Sequence, residues 1–377
     1  MEQFEESDLA PALEAVSAFV STSVAPLTSR PEAPAGKEEL VSITEGAART
    51  GLLGEGAGLG LWEGVEDPAG IRFSLGALER VAGAGAGIAF HLHGLALGAH
   101  LGRKLGYQAS QSTVVLLQGR NGFARGALAK LLSNDELEET EKALLSEFFP
   151  AIDDNGSPNI LQAGDGWQSL VFPTFNKTRS LIEWLQCDRD ALEVETYESS
   201  HGLDETRSQR VLLDTNTKDL EIAKISEEQS STLYIEAVGL NAAAMIAIGL
   251  GSARTALAKA RAYASERRQG NKIINQHAAV RLLLGRASAD LGTVAAALET
   301  VVRPPCRLSE LNAVLRLRAT AHPLLCRAAT DLLQVFGGYG YIQDYGMEKV
   351  LRDNQHLKLS FGTPKEIQLF LGIQEQP

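Results

Sequence analysis

The residues best suited to contacting a ligand lie near the end of the chain, in the segment 332–371 (LLQVFGGYGYIQDYGMEKVLRDNQHLKLSFGTPKEIQLFL). Gln334 offers a carboxamide, and Gly337 and Gly338 let the backbone approach a ligand or another chain closely. A helical pattern with charges of both signs follows these glycines. The residue types allow two interpretations: a turn that contacts a ligand, or an ordinary turn between two helices with solvated charges.

Three shorter patterns resemble functional motifs but lack the context that each motif needs: Gly83, Gly85 and Gly87; His91 and His93; and Ser199, Ser200 and His201. The glycines lie inside a helical pattern, whereas a dinucleotide-binding loop follows a strand. Histidines two positions apart point to opposite sides of a helix and cannot hold one metal ion on one face. The serines lack the strand, sharp turn and helix that surround a catalytic nucleophile. We therefore predict helix packing, core or surface histidines, no serine nucleophile and no metal site.

The segment 332–371 resembles the C-terminal signature of the acyl-CoA dehydrogenase family, which combines Gln-x-Phe-Gly-Gly-x-Gly, an aromatic and acidic turn, Glu-Lys, Arg-Asp and Gly-Thr-x-x-x-Ile-Gln. The matching residues are Gln334, Phe336, Gly337, Gly338, Gly340, Tyr341, Tyr345, Glu348, Lys349, Arg352, Asp353, Gly362, Thr363, Ile367 and Gln368. The resemblance covers nearly the whole chain and is strongest in its C-terminal third. It implies an oxidoreductase that introduces an α,β double bond into an acyl-CoA substrate, with FAD as the hydride acceptor.

The same resemblance implies which residues contact the cofactor. Gln334, Gly337 and Gly338 would contact FAD across a subunit interface, and Thr363 would lie near its pyrophosphate. Residues 263–273 (YASERRQGNKI) resemble a second family segment, in which an Arg holds the flavin pyrophosphate or ribose of a neighbouring subunit. Arg267 takes the position of that Arg.

The catalytic base of the family is missing from both positions where the resemblance would place it. Most members have a Glu directly before the Gly-Thr of the signature, and here that position is Phe361. A minority, which includes isovaleryl-CoA dehydrogenases, has a Glu directly after the conserved Arg, and here that position is Arg268. Phe has no titratable group, and Arg stays charged at neutral pH. We therefore predict no catalytic residue at either position.

The segment that meets the flavin ring in the family is also altered. After residues 114–118 (VVLLQ), a Thr-Glu-Pro-x-x-Gly-Ser-Asp type segment is replaced by residues 119–123 (GRNGF). The part of the site that reaches a neighbour's cofactor is kept, whereas the part that holds the chain's own flavin ring and base has changed. This asymmetry resembles the base-lacking subunit of heteromeric, α2β2 acyl-CoA dehydrogenases, and it predicts a subunit that completes the FAD site of a partner.

Three alternatives stay open. A self-sufficient dehydrogenase could use a relocated carboxylate, for which Glu266 and Asp353 are the candidates. A flavin monooxygenase on the same fold would need no base for an α-proton. A flavin-free subunit could keep the fold for assembly alone. By resemblance, the partners would be the acyl-CoA substrate, other acyl-CoA dehydrogenase-like chains in a hetero- or homo-oligomer, and an electron-transfer flavoprotein.

The elements that must position these residues follow from hydrophobic periodicity. Apolar residues recur every three or four positions at both ends of the chain, and short alternating runs fill the middle. We predict an α+β multidomain fold with the acyl-CoA dehydrogenase architecture: an N-terminal helical domain (1–112), a central β-barrel-like domain (113–225) with a possible inserted helix (134–149), and a C-terminal four-helix bundle (226–377). The finer predictions are one long helix over 75–105, a buried helix over 238–253, and a helix from 311 to 336 that is kinked or interrupted at Pro323.

Composition excludes several function classes. The 377 residues carry a net charge of −12, which argues against a nucleic-acid partner because phosphate backbones select clusters of Lys and Arg. Three cysteines without a close pair, Cys187, Cys306 and Cys326, predict reduced packing residues. The acidic start MEQFEESDLA has no basic region followed by an apolar run, so we expect no targeting signal, no membrane association and a cytoplasmic location.

Overall fold

Helices occupy both ends of the chain, and strands occupy its middle, as predicted. The computed structural model describes residues 6–28, 35–54, 60–107, 112–119, 126–152, 158–197, 201–213, 220–303 and 306–374. The helices are α1 (Leu9–Phe19), α2 (Lys37–Arg49), α3 (Pro68–Ala84), α4 (Ala86–Lys104), α5 (Ala127–Leu132), α6 (Glu139–Phe148), α7 (Glu227–Glu266), α8 (Ala278–Leu298), α9 (Leu308–Phe336), α10 (Met347–Leu359) and α11 (Pro364–Gln374). The strands are β1 (Thr113–Val115), β2 (Pro158–Ala163), β3 (Ser169–Asn176), β4 (Leu181–Asp188), β5 (Glu193–Thr196), β6 (Arg207–Leu212), β7 (Glu221–Ile222), β8 (Arg268–Gln269) and β9 (Lys272–Ile273).

The single helix predicted over 75–105 is wrong, because two helices, α3 and α4, meet at an extended Gly85 (φ −169°, ψ 115°). Helix α3 begins at Pro68, where the Asp67 carboxylate accepts a hydrogen bond from the backbone N–H of Ala69 at 2.8 Å. The break between the helices makes room for the Glu205 carboxylate, since a Cβ atom on Gly87 would overlap it. Gly83 and Gly87 therefore serve close packing of the helices, as predicted, whereas Gly85 forms the break between them.

The central region forms two sheets, with strand orders β1-β3-β4-β7 and β2-β6-β5. Strand β1 pairs with β3 in parallel, and the other pairs within these two sheets are antiparallel. The alternating runs of the sequence predict strands at 113–117, 169–172, 192–197 and 210–213, so β2, β4 and the short β7 were missed. The inserted helix is present as α6, which begins at Glu139 because Glu138 and Glu141 form a capping box. The domain limits at 112/113 and 225/226 stay a prediction, and the turn residues 153–157 lie outside the described residues.

The C-terminal helices pack around the 40-residue α7, which contacts α3, α4, α8, α9 and α10. Every residue from 238 to 253 is buried, as predicted. Close packing depends on small side chains here, because a Cβ atom on Gly251 would overlap the backbone carbonyl oxygen of Glu79 in α3. Helix α7 is long and apolar enough to cross a membrane, but its most apolar stretch is completely buried inside the molecule, as in the core helix of a globular protein.

Helix α9 forms the other long wall of the bundle. Pro323 does not interrupt it, contrary to one predicted alternative. Two ion pairs connect α9 with α8: Arg286 with Asp331 and Arg327 with Asp290, each with a shortest nitrogen–oxygen distance of 2.6 Å. The helix ends at Phe336, and the glycine that follows it stops it as predicted.

Candidate functional site

A cavity of about 270 Å³ lies where the N-terminal helices, the central sheets and the C-terminal helices meet. Its walls come from α4, the segment after β1, β2, β6, α7 and the end of α10: Phe90, residues 115–119, residues 160–162, Ser208, Asn241, Met245, His356, Ser360 and Phe361. None of the described residues that line this cavity is a carboxylate. The cavity can therefore enclose an apolar group, but its described walls provide no Asp or Glu for proton abstraction.

Phe361 lies between α10 and α11 in the left-handed backbone region (φ 53°). The guanidinium of Arg318, which is buried in α9, fixes this turn. It donates hydrogen bonds to the carbonyl oxygen of Phe361 at 2.5 Å and to that of Ser360. Burial lowers the pKa of Arg318 to about 9, so the side chain remains a cation at neutral pH. A cation at the C-terminal end of α10 also interacts favourably with the helix dipole.

His356 is the one titratable residue among the described residues that line the cavity. Burial lowers its pKa below the ordinary value, although Asp353 and Asp204 act in the opposite direction. The imidazole is therefore neutral at pH 7. The sequence analysis did not identify His356, because a lone histidine in a charged helix gives no signal of its own.

Neither predicted candidate for a relocated carboxylate lines the cavity. Glu266 is exposed at the end of α7. Asp353 is buried, with one oxygen 2.8 Å from the Lys349 nitrogen and the other accepting the backbone N–H of Leu203 at 2.7 Å. Lys349 also pairs with the buried Glu205 at 3.1 Å. This cluster holds α10 against the central region and does not face the cavity.

Arg268, predicted as the second possible position of the base, lies outside the cavity. It is exposed in a short hairpin, where Gly270 (φ 60°) and Asn271 (φ 64°) give the two left-handed residues of a type I′ turn. On α7, the residues that face the cavity are instead Asn241 and Met245. A base supplied by this helix would have to occupy one of these positions, and neither residue can act as one.

Four predicted cofactor-binding residues meet on an exposed face at the ends of α7 and α9. Arg267 is exposed directly after α7, with its guanidinium carbon 5.2 Å from the centre of the Tyr339 ring. Gln334 is exposed in the last turn of α9. Gly337 (φ 59°, ψ −133°) has a conformation that is nearly restricted to glycine, and the space beside it and beside Gly338 is open.

Aromatic stacking holds this face together. The ring of Tyr263 in α7 stacks on that of Phe336 in α9 with centroids 4.2 Å apart, and Tyr345 contacts both rings edge-on. Tyr339 is 41% exposed and Tyr341 is 72% exposed. We call this surface the glycine-turn face, defined by Arg267, Gln334, Gly337, Gly338 and Tyr339.

Thr363 has a structural role in the geometry observed. Its hydroxyl accepts the backbone N–H of Glu366 at 3.3 Å, and the Glu366 carboxylate accepts the backbone N–H of Thr363 at 2.6 Å. This reciprocal cap starts α11. Thr363 lies beside Phe361 in the chain, apart from the glycine-turn face.

Two of the shorter sequence patterns concern possible metal and nucleophile sites. In the described parts of the chain, no group of three or more His, Cys, Asp or Glu side chains is placed to hold a metal ion. His91 and His93 are buried core histidines, as predicted. Ser199 and Ser200 lie outside the described residues, as does most of the altered segment 119–123.

Comparison with known proteins identifies the architecture. Residues 232–372 match the acyl-CoA dehydrogenase C-terminal domain. The chain is 30% identical over 133 residues to the probable acyl-CoA dehydrogenase YngJ of Bacillus subtilis and 31% identical over 131 residues to benzylmalonyl-CoA dehydrogenase of Aromatoleum aromaticum. These matches cover 34% and 33% of this chain and 34% of each relative, so the chain aligns with about a third of the length of these curated relatives.

The fold extends beyond that region. The structure of butyryl-CoA dehydrogenase from Megasphaera elsdenii superposes with a TM-score of 0.71 at 14% sequence identity and covers 100% of both chains. The predicted fold class is therefore confirmed over the whole chain. Residues 232–372 thus match an acyl-CoA dehydrogenase C-terminal domain, and the chain as a whole shares the fold of butyryl-CoA dehydrogenase.

Proposed function

We propose that this chain is a subunit of a FAD-dependent acyl-CoA dehydrogenase that lacks a catalytic base of its own and completes the FAD site of a partner chain. The observation that carries the proposal is the cavity without a carboxylate among its described residues. Removal of an α-proton needs a base, and general-base catalysis is commonly worth about 10²–10⁴ in rate. Phe361 and Asn241, which face the cavity from two sides, cannot supply it.

The glycine-turn face fits one half of an FAD site. A guanidinium, an exposed carboxamide and an open glycine backbone are the groups that bind an anionic pyrophosphate. When bound, FAD supplies the hydride acceptor. Arg267, Gln334, Gly337 and Gly338 would hold it from the side of the neighbouring chain, because they lie on an exposed face and do not line the chain's own cavity.

The chain's own cavity offers no carboxylate for proton abstraction among its described residues, and both candidates for a relocated base, Glu266 and Asp353, lie outside it. This arrangement supports the half-site proposal over a self-sufficient enzyme with a relocated base.

The wider assignments are part of the same proposal. They are an acyl-CoA substrate, a cytoplasmic heterotetramer with an active acyl-CoA dehydrogenase-like chain, a role in lipid metabolism, and an electron-transfer flavoprotein as acceptor. The presence of dehydrogenases among the similar proteins supports the reaction type. No observation in the structure specifically favours a flavin monooxygenase or a flavin-free assembly subunit.

The test is FAD retention by the complex of this chain with an acyl-CoA dehydrogenase-like chain encoded beside it. Arg267→Ala should reduce the FAD content of the complex at least several-fold, because the arginine contacts the partner's cofactor. Arg268→Ala is the matched control, since it removes the same charge from the next residue, which is also exposed but lies in the hairpin. Unchanged FAD content in the Arg267→Ala complex would contradict the proposal.

A further inference from the structure

Hydrogen bonds connect three buried side chains in a series that ends at the wall of the cavity. The indole nitrogen of Trp62 lies 3.0 Å from Nδ1 of His93, and Nε2 of the same histidine lies 3.0 Å from Oδ1 of Asn241. Trp62 is completely buried, His93 is 1% exposed and Asn241 is 7% exposed. These three residues come from the segment before α3, from α4 and from α7.

The chemistry of the groups determines the donor and the acceptor in both of these hydrogen bonds. The indole N–H can only donate, so Nδ1 of His93 must be the unprotonated nitrogen. Burial lowers the pKa of His93 to about 4, so the ring is neutral and its single proton is on Nε2. Because this N–H donates to Asn241, the carboxamide must present its oxygen to the histidine and its NH₂ group elsewhere.

The NH₂ group of Asn241 is therefore the last group of this hydrogen-bonded series. Its side chain lines the cavity, and no described residue accepts a hydrogen bond from its Nδ2. Both serines of the wall are bonded to protein: Ser208 donates to Gln162 at 2.6 Å, and Ser360 donates to the backbone oxygen of His356 at 3.0 Å. Asn241 thus presents an oriented hydrogen-bond donor to a cavity whose wall combines apolar and polar residues.

We propose that Asn241 is a specificity-determining residue that selects an acyl group bearing a neutral oxygen, a keto or hydroxyl group, within the cavity. His93 is its positioning residue, since it fixes the carboxamide orientation. A neutral oxygen fits better than a carboxylate, because no described residue that lines the cavity is a cation at neutral pH. This inference rests on the proposed function, because it assumes that the cavity receives the acyl part of a thioester.

The test compares hexanoyl-CoA with 3-oxohexanoyl-CoA and 5-oxohexanoyl-CoA, measured by isothermal titration with the purified full chain. For each oxo thioester, the affinity ratio to hexanoyl-CoA is determined in the wild type and in Asn241→Leu. Loss of one hydrogen bond should lower this ratio about 3- to 10-fold for at least one oxo thioester. Taking the ratio removes changes that affect both ligands equally.

Two further variants make the comparison specific. Asn312→Leu is the matched control: Asn312 is a buried amide in α9 that bonds to Gln374 and does not line the cavity, so the ratio should not change. Asn241→Asp keeps the shape and the acceptor for His93 but loses the donor, and it should lower the ratio as Asn241→Leu does. Asn241→Asp also replaces Asn241→Leu in the comparison if the leucine variant does not fold.

The outcomes separate the inference from the proposed function. Ratios that stay the same in the wild type and in both Asn241 variants would overturn the inference alone. Binding of none of the three thioesters to the wild-type chain would also overturn the inference, whereas the proposed function fails only if the Arg267→Ala complex keeps its full FAD content. A fall in the ratio that is confined to the Asn241 variants would establish the residue as a determinant of acyl specificity.

Discussion

Replacing Phe361 with Glu tests whether this chain contains a complete reaction centre. The substitution puts a carboxylate on the cavity wall while leaving the backbone carbonyl of residue 361 bonded to Arg318. Glu and Phe are both unbranched at Cβ, so the strain of the positive φ angle is similar for both. Phe361 is half-buried against the apolar core, and its loss should lower the free energy of unfolding by about 1 kcal/mol.

The effect of Phe361→Glu on the rate of dehydrogenation depends on whether the chain has its own hydride acceptor. If the ring site were complete, a new base would raise the rate of dehydrogenation by about 10²–10⁴. In a half-site subunit no such gain occurs in the isolated chain. The assay follows reduction of an artificial electron acceptor with butyryl-CoA, and Phe361→Gln is the control with similar shape and no basic group. The assay is run near pH 8 to keep the new carboxyl group ionised, because burial in a cavity wall raises the pKa of a carboxyl group.

A gain of about 10² or more in the isolated Phe361→Glu chain over Phe361→Gln would refute the half-site reasoning. Such a result would show that only the base was missing. A thermal melt of both variants checks that each remains folded at the assay temperature, so that a difference in rate does not come from unfolding.

Two further predictions concern stability. Gly251→Ala should lower the free energy of unfolding by about 1–3 kcal/mol relative to Gly292→Ala, because the first methyl group overlaps the Glu79 carbonyl oxygen whereas the second meets open space; equal values in urea unfolding would contradict the close packing of α3 on α7. Burial lowers the pKa of both His91 and His93 to about 4, so between pH 6.5 and pH 4 the unfolded chain binds protons that the folded chain does not. The free energy of unfolding should therefore fall on acidification through this window by roughly 3 kcal/mol per histidine, and a His91→Gln variant should show a shallower fall; an identical pH profile for the wild type and this variant would be inconsistent with a neutral buried His91.

The order of helices and strands could be predicted because it depends on local periodicity. Apolar spacing marked α7 and α9, and the glycine after Phe336 marked the end of α9. The break between α3 and α4 could not be predicted, since it accommodates the Glu205 carboxylate, which is 120 positions after Gly85. Strand β2 was missed because its partner β6, which stabilises it, is more than 40 positions away in the sequence. Strand β4 pairs with β3 in a hairpin, so a distant partner does not explain why it was missed.

The two parts of the site differed in how well the sequence revealed them. The glycine-turn face has a recognisable order of residues, and Arg267, Gln334, Gly337 and Gly338 do lie together. The cavity has no such signature. Asn241 is one polar residue in an apolar helix, and only packing of α7 against α4 shows that His93 orients it toward a cavity. Arg268 was placed by motif spacing, and the hairpin turns it away from the cavity.

The most direct test of the half-site account is the visible spectrum and mass of the chain purified alone and then with an acyl-CoA dehydrogenase-like chain encoded beside it. The account predicts a colourless isolated chain and a yellow complex with about one FAD per pair of chains. Stoichiometric FAD in the isolated chain would contradict the account, because it would show that the chain holds a complete flavin site of its own.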